Sequence, residues 1–412
     1  MSKYFIVLFL LLTSFVRAQD LSTDLNPGHA NHVLPCENYR TIRGGLPHFQ
    51  SVIRTKTHAT IAFLGGSITY NPGWREKVGA FLQAQYPTIQ FHFINAGIPS
   101  LGSFPHTFRV QRDVLDSGKI DLMFLEAAVN DRVNGIYGYD SLKQLRALEG
   151  IVRHVKKKDP STDIVMMSFA DPDKTNDYKK SIVPTEISNH ELVAAHYNLP
   201  SINLAKEVAD KMSNGEFSWD KDFKDIHPSP FGQALYFQNI KALLNDCLSN
   251  TNFSKKQFRK MPRALDKYSY TEGYYANIKL AQYDSAWKLE KAWMPKDGLS
   301  TRDGFVHVPM LVTESQDATL TFPFMGNAIG MALVSGSDAG IVAYAIDGAP
   351  YKEIDLYTPW SNMLHLPWYV LFGDVLKTGK HVLHLKTLSK KNEQSKGNAC
   401  RIVYFLVNKK SF

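Results

Sequence analysis

The sequence predicts a parallel α/β sheet with helices on both faces, followed by an antiparallel β-sandwich. Three observations carry this. From Thr60 to Cys247, apolar runs of strand length alternate with helix-period segments, the pattern of a parallel sheet covered on both sides. Beyond Tyr270 the chain changes to short aromatic and β-branched runs with frequent turns and no long helix. Within that half, Asp347-Gly348 stands between two strand-like runs, a strong hairpin signal.

Taken in order, Thr60-Ile-Ala-Phe-Leu-Gly-Gly-Ser-Ile-Thr69 is an apolar run closed by two glycines and a serine. It reads as a buried strand that turns sharply into a helix from Trp74 to Tyr86, stopped by Pro87. Gln90–Asn95 reads as the second strand and Thr107–Asp116 as a helix. Ile120–Ala128 is the third strand, followed by an amphipathic helix from Asp140 to Lys158. Asp163–Phe169 is the fourth strand and Pro184–Tyr197 a helix. Pro200–Leu204 is a short fifth strand before a helix ending near Gly215, and Pro228 opens a last helix through Cys247. In the second half, 318–322, 328–334, 341–346, 381–385 and 400–407 read as strands, suited to a jelly-roll-like sandwich.

The first residues have the form of an export signal. Lys3 precedes an apolar run from Tyr4 to Phe15, and Val16-Arg17-Ala18 offers a cleavage point after Ala18. The expected divisions are a signal peptide over 1–18, an extended lead-in over 19–50, an α/β domain over 51–248, a linker over 249–269 and a sandwich over 270–412. The expected location is secreted or periplasmic, without stable membrane insertion, since the apolar run is short for a span. Losing Lys3 and Arg17 leaves 45 basic against 39 acidic residues. An excess of +6 suits anionic glycans and does not by itself argue for nucleic acid. The basic run Lys156–Lys158 and the segment Lys255–Lys267 read as a solvated helix end and a linker. Cys36, Cys247 and Cys400 permit one disulfide without fixing its pairing. No Asp-rich calcium loop or His cluster stands out, so no metal or cofactor is expected.

The chemistry-bearing residues fall at the carboxyl ends of the predicted strands, where open α/β sheets bind ligands. Ser67 follows the first strand, the loop Asn95–Ser103 the second, and Asn130-Asp131 the third. His227-Pro228 precedes the last helix. Ester hydrolysis needs a hydroxyl made nucleophilic by an adjacent imidazole. Ser67 is the candidate nucleophile and His227 the base that later protonates the leaving alcohol. The oxyanion needs fixed donors: the Ser67 backbone N–H, a backbone N–H between Gly97 and Gly102, and the Asn130 amide.

Gly65-Gly66-Ser67-Ile68-Thr69, the Asn95–Ser103 loop, Val129-Asn130-Asp131 and His227-Pro228 together resemble the four blocks of the SGNH (GDSL-type) hydrolases, in that family's order. The resemblance spans about residues 55 to 250 and implies a three-layer α/β/α, flavodoxin-like domain and an esterase working through a covalent acyl-enzyme. The sandwich resembles, more loosely, those appended to polysaccharide-active members. Two positions depart from the family pattern. The usual aspartate three residues before the histidine is Lys224 here, leaving Asp225, Asp222 or a backbone carbonyl to orient His227, with Asp225 preferred. The family's glycine spacing falls on Ser100, leaving Gly97, Ser100 or Gly102 to supply the loop N–H, with Gly102 preferred.

Other residues invite a role. Glu126, on the third strand, calls for a partner among Arg109, Arg132 and Arg153. His106 and Arg109 follow the glycine loop, where they read either as pocket-lining residues or as a solvated helix start. Trp360, His365, Trp368 and Tyr369 form an aromatic stretch that suits sugar rings or a packed core. The expectation is an exported esterase removing O-acyl groups, acetyl first, from a polysaccharide or oligosaccharide. The alternatives are a lipid or thioester acylhydrolase of the same superfamily and a non-catalytic glycan-binding protein.

Overall fold

The computed structural model describes residues 33–136, 138–249 and 261–409. The expected export signal, the first part of the expected lead-in and most of the expected linker lie outside the described residues.

The first half is a single six-stranded sheet. Its strands are β1 (Arg40–Thr41), β2 (His58–Gly65), β3 (Gln90–Gly97), β4 (Leu122–Glu126), β5 (Asp163–Ser168) and β6 (Ser201–Asn203), in the order β1-β6-β5-β4-β2-β3. β2 to β6 are parallel, and β1 adds an antiparallel edge. The helices are α1 (Pro47–Thr55), α2 (Ser67–Tyr70), α3 (Trp74–Gln85), α4 (Ser103–Asp113), α5 (Ala128–Ile136), α6 (Ser141–Lys158), α7 (Pro172–Lys179), α8 (Thr185–His196), α9 (Leu204–Ser213) and α10 (Pro230–Ser249).

The period-2 alternation of the strands divides their side chains between two cores. Ile61, Phe63, Leu122, Phe124, Val165 and Met167 pack with α1, α3, α9 and α10 on one face. Ala62, Leu64, Met123, Leu125, Ile164 and Met166 pack with α4, α6 and α8 on the other. Both faces are dry, which makes the strands continuous apolar runs. This is the three-layer α/β/α arrangement the sequence predicts.

The lead-in expected over 19–50 needs correcting. Pro47 sits at the start of α1, and Phe49, Val52 and Ile53 from that helix lie in the core. Proline is preorganised for a first helical position, and the 3–4 spacing of those apolar residues marks a buried face. The domain therefore begins before residue 51. Besides the single turn α2, two further helices were not expected. α5 begins at Ala128, where a strand end was expected, and α7 is capped by Asp171, whose side chain accepts from the Lys174 N–H.

The second half forms two antiparallel sheets. One is ordered β15-β12-β17-β10-β9, with β7 on β17, and the other β14-β13-β16-β11-β8. These strands are β7 (Gly273–Ala276), β8 (Gln282–Tyr283), β9 (Lys288–Trp293), β10 (Val308–Thr313), β11 (Thr319–Gly326), β12 (Ala328–Ser335), β13 (Ile341–Ile346), β14 (Lys352–Asp355), β15 (Leu366–Gly373), β16 (Gly379–Thr387) and β17 (Cys400–Asn408). The predicted turn is present: Asp347 and Gly348 both have positive φ, at 53° and 76°, and the Ala349 N–H returns to the Ile346 carbonyl at 3.0 Å. That is the twist a hairpin between β13 and β14 requires.

A separate apolar core joins the halves. Leu101, Phe104 and Phe108 pack with Tyr270, Trp293, Phe305 and Tyr369. Polar struts reinforce it. Arg146 pairs with Asp374 at 2.7 Å, Arg112 donates to the Tyr404 hydroxyl at 2.6 Å, and the Tyr139 hydroxyl donates to the Tyr369 carbonyl at 2.6 Å. The three cysteines are unpaired. Among the described residues no helix is long and apolar enough to cross a membrane.

Candidate active site

The end of β2 determines the site. Gly65 closes the strand, and Ser67 begins α2, a single turn closed by Tyr70 N–H to Gly66 O and Asn71 N–H to Ser67 O, both 2.9 Å. The backbone at Gly66 runs so close to Asn130 that a Cβ there would stand 2.1 Å from Asn130 Oδ1. Glycine is required for that approach, and the approach brings the Asn130 amide beside the serine loop. Gly97 does the same for the second loop, since its Cβ would meet the Tyr70 N at 2.4 Å.

His227 arrives from the loop before α10. Its Nε2 lies 2.8 Å from Ser67 Oγ, so the two sequence-distant residues meet on the strand-end rim. An imidazole at this distance can take a hydroxyl proton as the oxygen attacks a carbonyl.

The preferred orienting residue, Asp225, is not brought onto His227. Its Oδ1 accepts from the Ile226 N–H at 2.5 Å. Asp222 is also engaged elsewhere: its Oδ2 accepts from the Ser218 N–H at 2.8 Å. The reason is the shape of the loop. Residues Trp219–Phe223 form a widened helical turn that ends at Lys224 with φ +74°, and the Ser229 N–H closes back onto Phe223 O at 2.9 Å. Among the described residues, no carboxylate hydrogen-bonds to His227.

The preferred glycine is set back from the cleft. Gly102 precedes α4, packed against Asp131, whose Oδ1 would lie 2.4 Å from a Cβ at that position. It does not line the cleft, whereas Ser100 does. In this loop the Gly97 N–H donates to Asn95 Oδ1, the Ile98 N–H to Gly65 O and the Leu101 N–H to Ile98 O, and Pro99 has none. Backbone donors must be accounted for, and the N–H groups left to a ligand are those of Ser100 and Gly102. Ser100 holds φ +73°, a conformation glycine adopts more readily.

His106 and Arg109 lie beneath the site. Both are fully buried. Arg109 Nε donates to His106 Nδ1 at 3.1 Å. Burial first, and the Arg109 cation second, hold the His106 pKa well below its usual value. None of the three expected arginines pairs with Glu126. Arg109 pairs with Asp113 at 2.8 Å, Arg132 with Asp177 at 2.6 Å and Glu186 at 3.1 Å, and Arg153 donates to the Tyr197 hydroxyl and the Pro262 carbonyl. Glu126 instead accepts from the Val129 N–H at 3.2 Å, and burial pushes its pKa up to about 7.

The cleft at Ser67 and His227 has a volume of about 500 Å³, and the sandwich builds one of its walls with Arg302, Trp360, Leu364, Leu366 and Trp368. The Trp360 and Trp368 rings stand 6.3 Å apart. Asp303 binds the wall to the serine loop, accepting from the Tyr70 hydroxyl at 2.5 Å. Of the aromatic stretch, Trp360 and Trp368 reach the cleft. Tyr369 is buried in the interdomain core, and His365 is buried with its Nε2 2.9 Å from Asp297. Sequence reasoning missed Arg302 and Asp303, which lie in a polar turn with no periodicity.

Residues 63–235 match the GDSL-like Lipase/Acylhydrolase family. The α/β domain is thus that of an SGNH-type esterase, a carboxylic ester hydrolase. Two solved structures of a two-domain esterase (CEX) active on acetylated mannans are similar over nearly the whole chain. The form co-crystallised with mannopentaose has a TM-score of 0.75 at 19% identity, covering 92% of this chain and 100% of that one. The other has a TM-score of 0.71 at 18% identity, covering 91% of this chain and 99% of that one. This likeness establishes the two-domain fold. An acetyl xylan esterase, AlAXEase, matches at 18% identity over 44% of this chain and 98% of its own, with a TM-score of 0.38. No curated protein sequence matches the chain.

Proposed function

We propose that the protein is an exported O-acyl esterase that removes small ester groups, acetyl first among them, from a polysaccharide or oligosaccharide. The supporting observation is the 2.8 Å contact between Ser67 Oγ and His227 Nε2 in a cleft walled by two sandwich tryptophans. Tryptophan faces suit sugar rings. The solved two-domain neighbours, active on acetylated mannans, support the same substrate class.

In this reading His227 Nε2 accepts the Ser67 proton as Oγ attacks the ester carbonyl. The tetrahedral oxyanion receives hydrogen bonds from the Ser67 N–H, the Asn130 amide and the Ser100 N–H, with Ser100 taking the role first given to Gly102. The sugar hydroxyl leaves with the proton from His227. Water, deprotonated by the same imidazole, then attacks the acyl-Ser67 ester and frees the acid. Ser67 and His227 act as a dyad, without an aspartate.

Ser67→Ala is expected to abolish p-nitrophenyl acetate turnover and acetate release from acetylated glycans while leaving the circular-dichroism spectrum unchanged. Undiminished turnover in that variant would remove the mechanism. Faster cleavage of p-nitrophenyl octanoate than of the acetate would favour a lipid substrate. Failure of Ser67 to label with a serine-reactive phosphonate would favour a non-catalytic glycan-binding protein.

A further inference from the structure

Arg302 is the guanidinium among the residues lining the cleft, and the sandwich delivers it there. Its turn is fixed from several sides. Phe305 is fully buried in the interdomain core, and its N–H returns to the Arg302 carbonyl at 3.1 Å. Thr301 bridges to His365, whose N–H donates to the Ser300 carbonyl at 2.8 Å. Asp303 is tied to the Tyr70 hydroxyl. The side chain between these anchors is poorly satisfied. Arg302 Nη2 makes one long hydrogen bond, 3.4 Å to Ser100 Oγ, and Nε is buried with no partner.

Among the described residues no carboxylate lies within ion-pair distance of Arg302. Asp303, its sequence neighbour, has its carboxylate at Tyr70 and lies outside the cleft lining. Among the described residues that line the cleft, none is an acid. A half-buried guanidinium has five donors in a rigid fork. Removing them from water without an acceptor is costly, and a carboxylate is the acceptor whose geometry matches the fork.

We infer that the substrate carries a carboxylate close to its acyl ester, making it an acylated oligosaccharide that contains a uronic acid, held by Arg302. The inference rests on the glycan-esterase reading and makes its substrate class specific. Arg302 then acts in specificity: it holds the acidic ring beside Trp360 and Trp368 while Ser67 attacks a neighbouring ester.

The test uses a matched pair of monoacetylated oligosaccharides that differ only in whether one ring bears a carboxylate or a hydroxymethyl group. The wild-type protein is expected to prefer the acidic member in kcat/KM by roughly 10- to 100-fold, the worth of one charge-assisted pair. The preference should shrink with added salt, because the cleft is open to solvent. In Arg302→Met, which keeps the bulk of the stem, the ratio of the two kcat/KM values should fall to near one, chiefly through KM for the acidic member. Equal wild-type rates on the pair would overturn the inference and leave the esterase reading standing. So would a variant that slows both members by the same factor. Acetate release from neither member, with p-nitrophenyl acetate still turned over, would defeat the glycan reading and this inference with it.

Discussion

Arg109 donates to the carbonyl of Ala96 at 2.6 Å, and the same Nη2 lies 3.4 Å from the carbonyl of Gly65. One guanidinium thereby ties the end of the strand that carries Ser67 to the end of the strand that carries the Asn95–Ser103 loop, the loop proposed to supply an oxyanion donor. The Ile98 N–H, which donates to Gly65 O at 3.0 Å, closes the same joint from the backbone side. Arg109 is fully buried, so its hydrogen bonds are not exchanged with water.

Arg109→Met is therefore expected to act twice. Gly65 O keeps the Ile98 N–H, but the Ala96 carbonyl loses its 2.6 Å donor, and a buried carbonyl that loses its partner costs about 1–3 kcal/mol, so the thermal midpoint should fall. The loosened joint should also lower kcat on p-nitrophenyl acetate by more than it raises KM, because donor placement matters most at the transition state. Kinetics measured well below the midpoint separate the two effects. A variant that loses only stability would show that the joint does not set the geometry of the site.

Asp225→Asn should have little effect. A triad aspartate replaced by asparagine loses about 10⁴ in turnover. Asp225 accepts from the Ile226 N–H, a bond that the asparagine carbonyl can also make. The expected loss in kcat is below about tenfold, set against the much larger loss predicted for a triad member. A loss approaching that of Ser67→Ala would restore Asp225 to the catalytic group.

Ser100 and Gly102 separate the two candidate positions in the loop. Ser100 sits at φ +73°, where a β-carbon costs about 1–2 kcal/mol. Ser100→Gly should therefore retain activity and match or exceed the wild-type thermal midpoint, despite losing the long bond from Arg302. Gly102→Ala should lower the midpoint sharply. Its Cβ would collide with Asp131 Oδ1, which already accepts from the Ser103 N–H at 2.7 Å and Ser103 Oγ at 2.9 Å. Differential scanning calorimetry on the two variants checks both signs. A stable, fully folded Gly102→Ala would contradict the packing described.

The sequence made the central strands readable because both of their faces are dry. Ile61–Leu64, Leu122–Leu125 and Ile164–Met167 are buried without interruption, and each stands as an apolar run between turn residues. The Ser67–His227 pairing was readable because a parallel sheet gathers its strand ends on one rim. α1 was hidden by the polar composition around it, although Pro47 and the Phe49–Val52–Ile53 spacing marked it. The fates of Asp225 and Gly102 depend on local backbone shape at Lys224 and on packing against Asp131, and neither leaves a pattern in composition. Arg302 was unreadable for a different reason: its place in the cleft depends on how the second domain docks, through Phe305, Tyr270 and Phe108.

Glu126 gives the fold a pH dependence of predictable sign. Its carboxyl is 1% exposed and has no arginine partner, and burial raises its pKa from 4.5 to about 7. The folded state thus favours the protonated acid. The associated stability is fully present below the unfolded pKa near 4.5 and is lost as pH rises toward 7, because above that point folding must bury a charge. Glu126→Gln keeps an acceptor for the Val129 N–H and cannot ionise. Near pH 4.5 the two proteins should have similar thermal midpoints. By pH 8 the glutamine variant should be the more stable, by an amount on the order of 3 kcal/mol at most. The difference between the two midpoints, followed from pH 4.5 to 8, isolates this group from Glu207 and Asp163, which burial also raises, to about 7 and about 6. A difference that stays constant with pH would mean that Glu126 has a charge partner in the fold.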